Sequence, residues 1–135
     1  MRYKKFGSFL EKNHDYFYFV FRVIVGLLFF QHGAIKLYGW FGGNQVEIMS
    51  FMGVAGVIEF YGGALIILGL FTRYAALLGM IDMVGAWYIM HIPKGFMPIL
   101  NGGELAALFF ASFLILLVHG TKKWGLDKLI FKRHY

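Results

Sequence analysis

The stretch YFYFVFRVIVGLLFFQHGAIKLY, from Tyr16 to Tyr38, decides the fold of this chain. A helix needs roughly 20 apolar residues to cross a bilayer, and this stretch is long enough. It is also longer than the apolar core of a signal peptide, and the bulky Gly39-Trp40-Phe41 follows it in place of a small-residue cleavage site. We therefore interpret it as a mature transmembrane helix that carries Arg22, His32 and Lys36.

Three further apolar stretches follow, at about residues 46–70, 73–92 and 102–120, after the first at about 16–38. Of the 135 residues, 59% are hydrophobic and only 15% are charged. Soluble domains average about a quarter charged residues. The composition predicts an all-α membrane protein, a bundle of four transmembrane helices that forms a single domain over residues 1–135.

The distribution of basic residues predicts the orientation of this bundle. Four basic residues precede the first span and five follow the last, whereas only Lys36 and Lys94 fall on the opposite side. Basic residues concentrate on the cytoplasmic side of membrane proteins. We therefore expect both termini in the cytoplasm and a multi-pass protein of the cytoplasmic membrane. Membrane topology and attraction to anionic lipids explain the net charge of +6 without nucleic acid as a partner.

Two sequence patterns predict where helices begin. Asn44 is followed by Glu47, and Asn101 by Glu104, each at the spacing of a capping box. They predict the starts of the second and fourth spans.

Arg22, Glu59 and Asp82 lie within the predicted spans, and we call them the inner cluster. Ionisable residues inside membranes usually face the bundle interior and pair with one another. Each of the three shares a helical face with small residues, which mark close helix contacts. At a rise of ~1.5 Å per residue from the cytoplasmic end, Arg22 lies at ~9 Å, Asp82 at ~13 Å and Glu59 at ~16 Å. We therefore expect these side chains to meet.

A second set of polar and aromatic residues lies nearer the opposite membrane surface, and we call it the outer group: His32, Lys36, Trp40, His91 and Glu104. The same count places His32 and Glu104 at ~24 Å, with His91 and Lys36 somewhat higher. A pocket of hydrogen-bonding side chains with Trp40 as a stacking wall suits a ligand headgroup at the edge of the hydrocarbon.

Simpler interpretations stay open for several of these residues. Arg22 and Asp82 can form a purely structural ion pair. Glu104 can have no role beyond that of the acid in a capping box. Lys36 can extend to the membrane surface by snorkelling.

Some cofactors are excluded or disfavoured. The chain has no cysteine, so it cannot hold an iron–sulfur cluster by thiolates or exchange disulfides on its own. His32 and His91 at similar depth resemble a pair of axial haem ligands, but no other feature supports haem and we do not expect it. We predict no metal site.

A series of motifs in chain order resembles the DoxX family of membrane proteins. They are Arg22-x3-Gly26-x2-Phe29-x2-His32-Gly33-x2-Lys36-Leu37, Gly39-Trp40-Phe41-Gly42-Gly43, Glu59-x2-Gly62-Gly63, Gly69-Leu70-x-Thr72-Arg73, Asp82-Met83, Asn101-Gly102-Gly103-Glu104-Leu105 and Trp124-x-Leu126-Asp127. The turn at 120–125 departs from the family pattern. The resemblance implies a four-helix protein of the cytoplasmic membrane. The family is named after a relative of the membrane subunit of thiosulfate:quinone oxidoreductase, and its members are widely labelled oxidoreductases or quinol oxidase subunits.

These observations support three functional hypotheses. The first is a quinone-linked oxidoreductase subunit or quinone-docking module, whose electrons come from a redox partner subunit because the chain carries no redox motif of its own. Whether the chain is an enzyme stays open, and we do not expect it to be a complete enzyme alone. The second is a non-catalytic scaffold or assembly partner whose buried charges specify helix pairing. The third is a small-solute or proton pathway through Glu59 and Asp82, which requires a homo-oligomer.

Overall fold

The structure is a computed structural model that describes residues 2–132. It is 82% helical and has no strand in the described part of the chain, which confirms the all-helical class. Within residues 2–132, six α-helices follow one another: α1 Arg2–Tyr38, α2 Phe51–Leu68, α3 Thr72–Ala86, α4 Pro98–Asn101, α5 Glu104–His119 and α6 Leu126–Phe131. A π-helical turn at Trp87–His91 and a 3-10 turn at Ile92–Lys94 continue α3.

Three helical segments of residues 2–132 are long and apolar enough to cross a membrane: Tyr3–Tyr38, Phe51–Leu68 and Thr72–Lys94. The helix α5 is apolar but has only 16 residues, or ~24 Å at the usual rise. The four-span arrangement and the orientation of the termini therefore stay predictions.

The ends of the helices differ from the predicted spans at two places. The helix α1 begins at Arg2, well before the predicted start of the span at residue 16, because no proline interrupts the segment between them. The helix α2 begins at Phe51, since Ser50 caps it by accepting a hydrogen bond from the Gly53 amide at 3.0 Å. The capping box predicted at residues 44–47 is therefore wrong.

The second predicted capping box is also absent. The side chain of Asn101 accepts a hydrogen bond from the Gly103 amide at 2.7 Å and donates one to the Gly95 carbonyl, so it braces the loop that precedes α5. Glu104 is the first residue of α5 and makes no capping hydrogen bond.

Glycines bring α1 and α2 into backbone contact in an antiparallel pair. A Cβ atom on Gly26 would lie 2.9 Å from the Ile67 nitrogen, and one on Gly33 would overlap the Phe60 backbone. No larger residue fits at these positions without separating the helices. The small-residue faces predicted for these two helices are therefore the faces in contact.

Aromatic side chains fill the space between α1, α3 and α5. Phe29 and Phe113 are both fully buried, with ring centroids 4.7 Å apart. Gly79 of α3 leaves room for the Phe113 ring, which would lie 2.7 Å from an added Cβ atom. This packing fixes the faces of α1 and α5 that border the candidate site.

Candidate functional site

A buried ion pair joins α1 to α2. Lys36, in the last turn of α1, places its Nζ atom 2.5 Å from the Glu59 Oε1 atom of α2. Glu59 is only 3% exposed. Side chains on a helix lean towards its N-terminus. Because the two helices are antiparallel, Lys36 and Glu59 therefore lean towards each other.

Asp82 of α3 adds a second carboxyl group beside this pair. Its side chain is buried, and its carboxyl group interacts electrostatically with that of Glu59. Glu59 Oε2 and Asp82 Oδ2 are both buried, and neither accepts a hydrogen bond from an N–H or hydroxyl group of the described residues, although the two carboxyl groups lie within hydrogen-bonding reach of each other. Buried polar atoms without partners are rare in folded proteins, and they often mark functional sites. Lys36, Glu59 and Asp82 therefore form the buried charged site of this protein.

A small cavity of about 100 Å³ opens beside Glu59 and is called the polar cavity here. Its polar lining is His32 and Glu59, and its apolar lining is Phe29, Met83, Leu105, Ala106 and Phe109. His32 is half-buried, and its ring lies edge-on to Phe109 at a centroid distance of 6.0 Å. An imidazole can both donate and accept a hydrogen bond, whereas Glu59 Oε2 offers an acceptor. The polar cavity can therefore hold a small group that has both kinds of hydrogen-bonding atom.

A larger apolar groove of about 290 Å³ lies between α5 and the outer part of α3. It is lined by Met83, Val84, Trp87, Tyr88, Ala106, Ala107 and Phe110. Met83 and Ala106 line both the apolar groove and the polar cavity, so the two spaces adjoin. Trp87 begins the π-helical turn, a distortion that is frequent at functional sites. A molecule with a polar head and an apolar tail matches this combination.

Arg22 does not belong to the charged site, and the predicted inner cluster is wrong in this respect. Its guanidinium group is fully buried and donates hydrogen bonds to the Thr121 carbonyl at 2.6 Å and the Trp124 carbonyl at 2.7 Å. In the described part of the chain, no ion pair joins Arg22 to Glu59 or Asp82. The arginine leans towards the N-terminus of α1, which takes it away from these carboxyl groups and towards the loop after α5.

The outer group does not assemble as a single pocket either. Lys36 reaches inward to Glu59 instead of outward to the membrane surface, and Glu104 is exposed at the start of α5. Trp40 stacks near Tyr38, with ring centroids 5.6 Å apart, away from the polar cavity.

His91 is also separate from His32. Its Nδ1 atom lies 3.1 Å from the Asn101 carbonyl oxygen, and its ring neighbours Trp87. It does not line the polar cavity beside His32.

The apolar half of the polar cavity was not predicted from the sequence. Met83, Leu105, Ala106 and Phe109 carry no pattern that separates a cavity lining from ordinary packing. The pairing of Lys36 with Glu59 was not predicted either, and it becomes visible only in the structure, where Gly56 lets the two helices approach closely. Gly56 lies one helical turn before Glu59, and a Cβ atom on Gly56 would lie 2.9 Å from the Lys36 Cβ atom.

Comparisons with known proteins identify the family. The DoxX family model matches residues 17–92, which include His32, Lys36, Glu59 and Asp82. The chain is 40% identical over 131 residues to an uncharacterized protein of Haemophilus influenzae, covering 92% of this chain and 98% of the relative. It is 30% identical over 128 residues to the Bacillus subtilis protein named putative oxidoreductase CatD, covering 91% of this chain and 93% of that protein.

A third relative is named as a membrane protein. The uncharacterized membrane protein Rv3486 of Mycobacterium tuberculosis is 34% identical over 130 residues, covering 83% of this chain and 80% of that protein. No solved structure matches the chain. With a family model that covers more than half of its length and relatives aligned along most of it, this chain is a membrane protein that belongs to the DoxX family.

Proposed function

We propose that this protein is a quinone-binding subunit of a membrane oxidoreductase. The observation that carries the proposal is the polar cavity, in which His32 and the buried carboxyl group of Glu59 lie together beside the apolar groove. A quinone headgroup needs hydrogen-bonding partners for its two oxygens, and its isoprenoid tail needs an apolar channel. The relative named as an oxidoreductase supports a redox role.

In this proposal the side chains of the chain itself bind and orient the headgroup. His32 donates a hydrogen bond to a carbonyl oxygen or accepts one from a hydroxyl group. Glu59 Oε2 accepts a hydrogen bond from a hydroxyl group, while Lys36 holds the other carboxylate oxygen in place. Phe29 and Phe109 exclude water from the headgroup. Because the chain has no cysteine for a thiolate-ligated redox centre, a partner subunit or another bound cofactor supplies the electrons.

The proposed arrangement is a four-span protein of the cytoplasmic membrane with both termini in the cytoplasm. The excess of basic residues near the termini supports it. The 16-residue α5 is short for a span, and local thinning of the bilayer accommodates short helices at modest cost. Single cysteines can be introduced at Lys4, Asn44 and Lys128 without background, because the natural chain has none. We expect a membrane-impermeant maleimide to label only Asn44→Cys in intact spheroplasts, and labelling of Lys4→Cys or Lys128→Cys there would contradict the orientation.

Quinone binding is tested with the purified full-length protein. We expect a lipid extract to contain quinone near one molecule per chain, and a short-chain quinone to quench tryptophan fluorescence saturably. His32→Ala should weaken this binding about tenfold, the cost of about 1.4 kcal/mol of lost interaction. His14→Ala is the matched control, because His14 is exposed in the N-terminal part of α1. Absence of saturable binding, or equal binding by the two variants, would refute the proposal.

The scaffold hypothesis also has an observation in its favour. The charged groups of Arg22 and Lys36 both bind partners within the chain: Arg22 binds carbonyls of the loop after α5, and Lys36 binds Glu59 of α2. A pure scaffold predicts that His32→Ala leaves co-purification of partner proteins unchanged and that the wild-type protein carries no quinone. The lipid extract and the pull-down therefore separate the two functions in one preparation.

A further inference from the structure

The loop between α5 and α6 is held in a fixed shape by buried polar groups. Besides accepting hydrogen bonds from Arg22, it places the Thr121 hydroxyl 2.6 Å from the Asp127 Oδ2 atom. Asp127 is fully buried, and its Oδ1 atom accepts a hydrogen bond from the Phe71 amide at the start of α3. Trp124 adopts a left-handed backbone conformation with φ of 55°. This loop is therefore anchored to α1 and α3.

The anchored loop forms one wall of a cleft of about 410 Å³ between α6 and the end of α2, called the basic cleft here. Its lining combines two lysines, Lys123 and Lys128, with apolar side chains that include Leu68, Trp124, Leu126 and Leu129. A surface that places ammonium groups beside leucines and an indole suits a molecule with an anionic head and apolar chains.

The charge around the basic cleft is one-sided. Lys122, Lys123, Lys128 and Lys132 lie in this segment, whereas its one acid, Asp127, is fully buried. Asp15 of α1 is the acid that approaches from outside the segment, 2.9 Å from the Lys123 Nζ atom. Asp15 offsets the charge of Lys123, whereas Lys128 forms no ion pair with the described residues, so the lining of the cleft keeps a net positive charge.

The apolar side of α6 indicates what kind of surface the cleft faces. Leu129 and Ile130 are the two residues after Lys128, and their side chains are 78% and 59% exposed. Basic and apolar residues on one short helix favour the boundary between lipid headgroups and acyl chains. An acidic soluble protein would leave these aliphatic side chains in water, whereas a phospholipid covers both the lysines and the leucines.

We propose that the basic cleft is a binding site for one anionic phospholipid. The Lys123 and Lys128 ammonium groups contact the phosphate, Trp124 lies at the level of the glycerol, and an acyl chain runs along Leu68 and Leu129. The site lies apart from the polar cavity and does not depend on the proposed quinone function.

Native mass spectrometry of the full-length protein in detergent tests this site. Phosphatidylglycerol and phosphatidylcholine with identical acyl chains serve as probes. We expect one phosphatidylglycerol to be retained per chain, with at least about tenfold tighter binding than phosphatidylcholine. Lys123→Gln/Lys128→Gln should weaken phosphatidylglycerol binding about tenfold, whereas Lys4→Gln/Lys5→Gln, which removes the same charge far along α1, should leave it unchanged.

A second variant guards against an indirect effect, because Lys123 also pairs with Asp15. Lys128→Gln breaks no ion pair of the described residues, and we expect it alone to weaken binding about threefold with an unchanged helical circular dichroism spectrum. Equal losses in the two double variants would mean unspecific charge attraction and would overturn the site. Equal binding of both lipids, or binding of free glycerol phosphate as tight as that of phosphatidylglycerol, would overturn it too.

Discussion

Replacing Lys36 by methionine removes the ammonium group from the buried ion pair while keeping most of the side-chain volume. The Lys36 Nζ atom lies 2.5 Å from the Glu59 Oε1 atom, and the side chains are 18% and 4% exposed. At this distance and an effective dielectric constant of about 20, the direct attraction is about 7 kcal/mol. Most of this is offset by desolvation, and removing one partner of a buried pair typically costs about 3–5 kcal/mol. Because Lys36 keeps some exposure, we expect a loss near the lower end, about 3 kcal/mol.

The free energy of unfolding can be measured by titrating sodium dodecyl sulfate into dodecylmaltoside micelles and following helical circular dichroism. Lys94→Met is the matched control, because Lys94 is exposed in the 3-10 turn after α3. The double variant Lys36→Met/Glu59→Gln should be more stable than Lys36→Met alone, since the uncompensated carboxylate is gone. Two results would contradict this prediction. One is a loss in free energy of unfolding for Lys36→Met no larger than that for Lys94→Met, and the other is a double variant Lys36→Met/Glu59→Gln that is less stable than Lys36→Met.

Three further substitutions test the packing. Gly33→Ala should destabilise the protein by about 1–3 kcal/mol, because the added methyl group overlaps the Phe60 backbone. Gly7→Ala is the control and should not destabilise it, because a methyl group there meets nothing within 4 Å. The same detergent titration measures both variants. Ser50→Ala should cost about 1 kcal/mol through loss of the cap, and an unchanged midpoint would refute the cap assignment. Arg22→Met removes two short hydrogen bonds to loop carbonyls, so limited trypsin digestion should cut the loop after α5 much faster than in the wild type.

The sequence allowed us to predict that the charged side chains within the spans face the interior of the helix bundle. Glycine and alanine recur at helical spacing beside Glu59 and Asp82, and small residues occur where helices touch. Both carboxyl side chains are buried in the structure, as is Arg22. This part was predictable because helical periodicity determines which residues share a face.

The partners of these charges were not predictable from depth alone. Counting residues gives the height of a Cα atom, but a lysine or arginine side chain extends well beyond its own turn. Lys36 and Arg22 both lean towards the N-terminus of α1. For Lys36 this brings the ammonium group to Glu59, and for Arg22 it brings the guanidinium group to the Thr121 carbonyl. Rules of side-chain direction, applied with the antiparallel order of the helices, would have corrected both assignments.

The buried polar groups of this chain differ in what lies around them. The Arg22 guanidinium group binds loop carbonyls through its two terminal nitrogens, while its Nε atom has no hydrogen-bond partner among the described residues. Lys36 binds one oxygen of Glu59. The second oxygen of Glu59 accepts no hydrogen bond from an N–H or hydroxyl group of the described residues, and Glu59 lines a cavity with His32. Natural proteins violate local rules of polar satisfaction mainly at functional sites. The position of this buried carboxyl group beside an open space therefore favours ligand binding over a purely structural role for Glu59, and it makes the polar cavity the first place to look for a bound quinone.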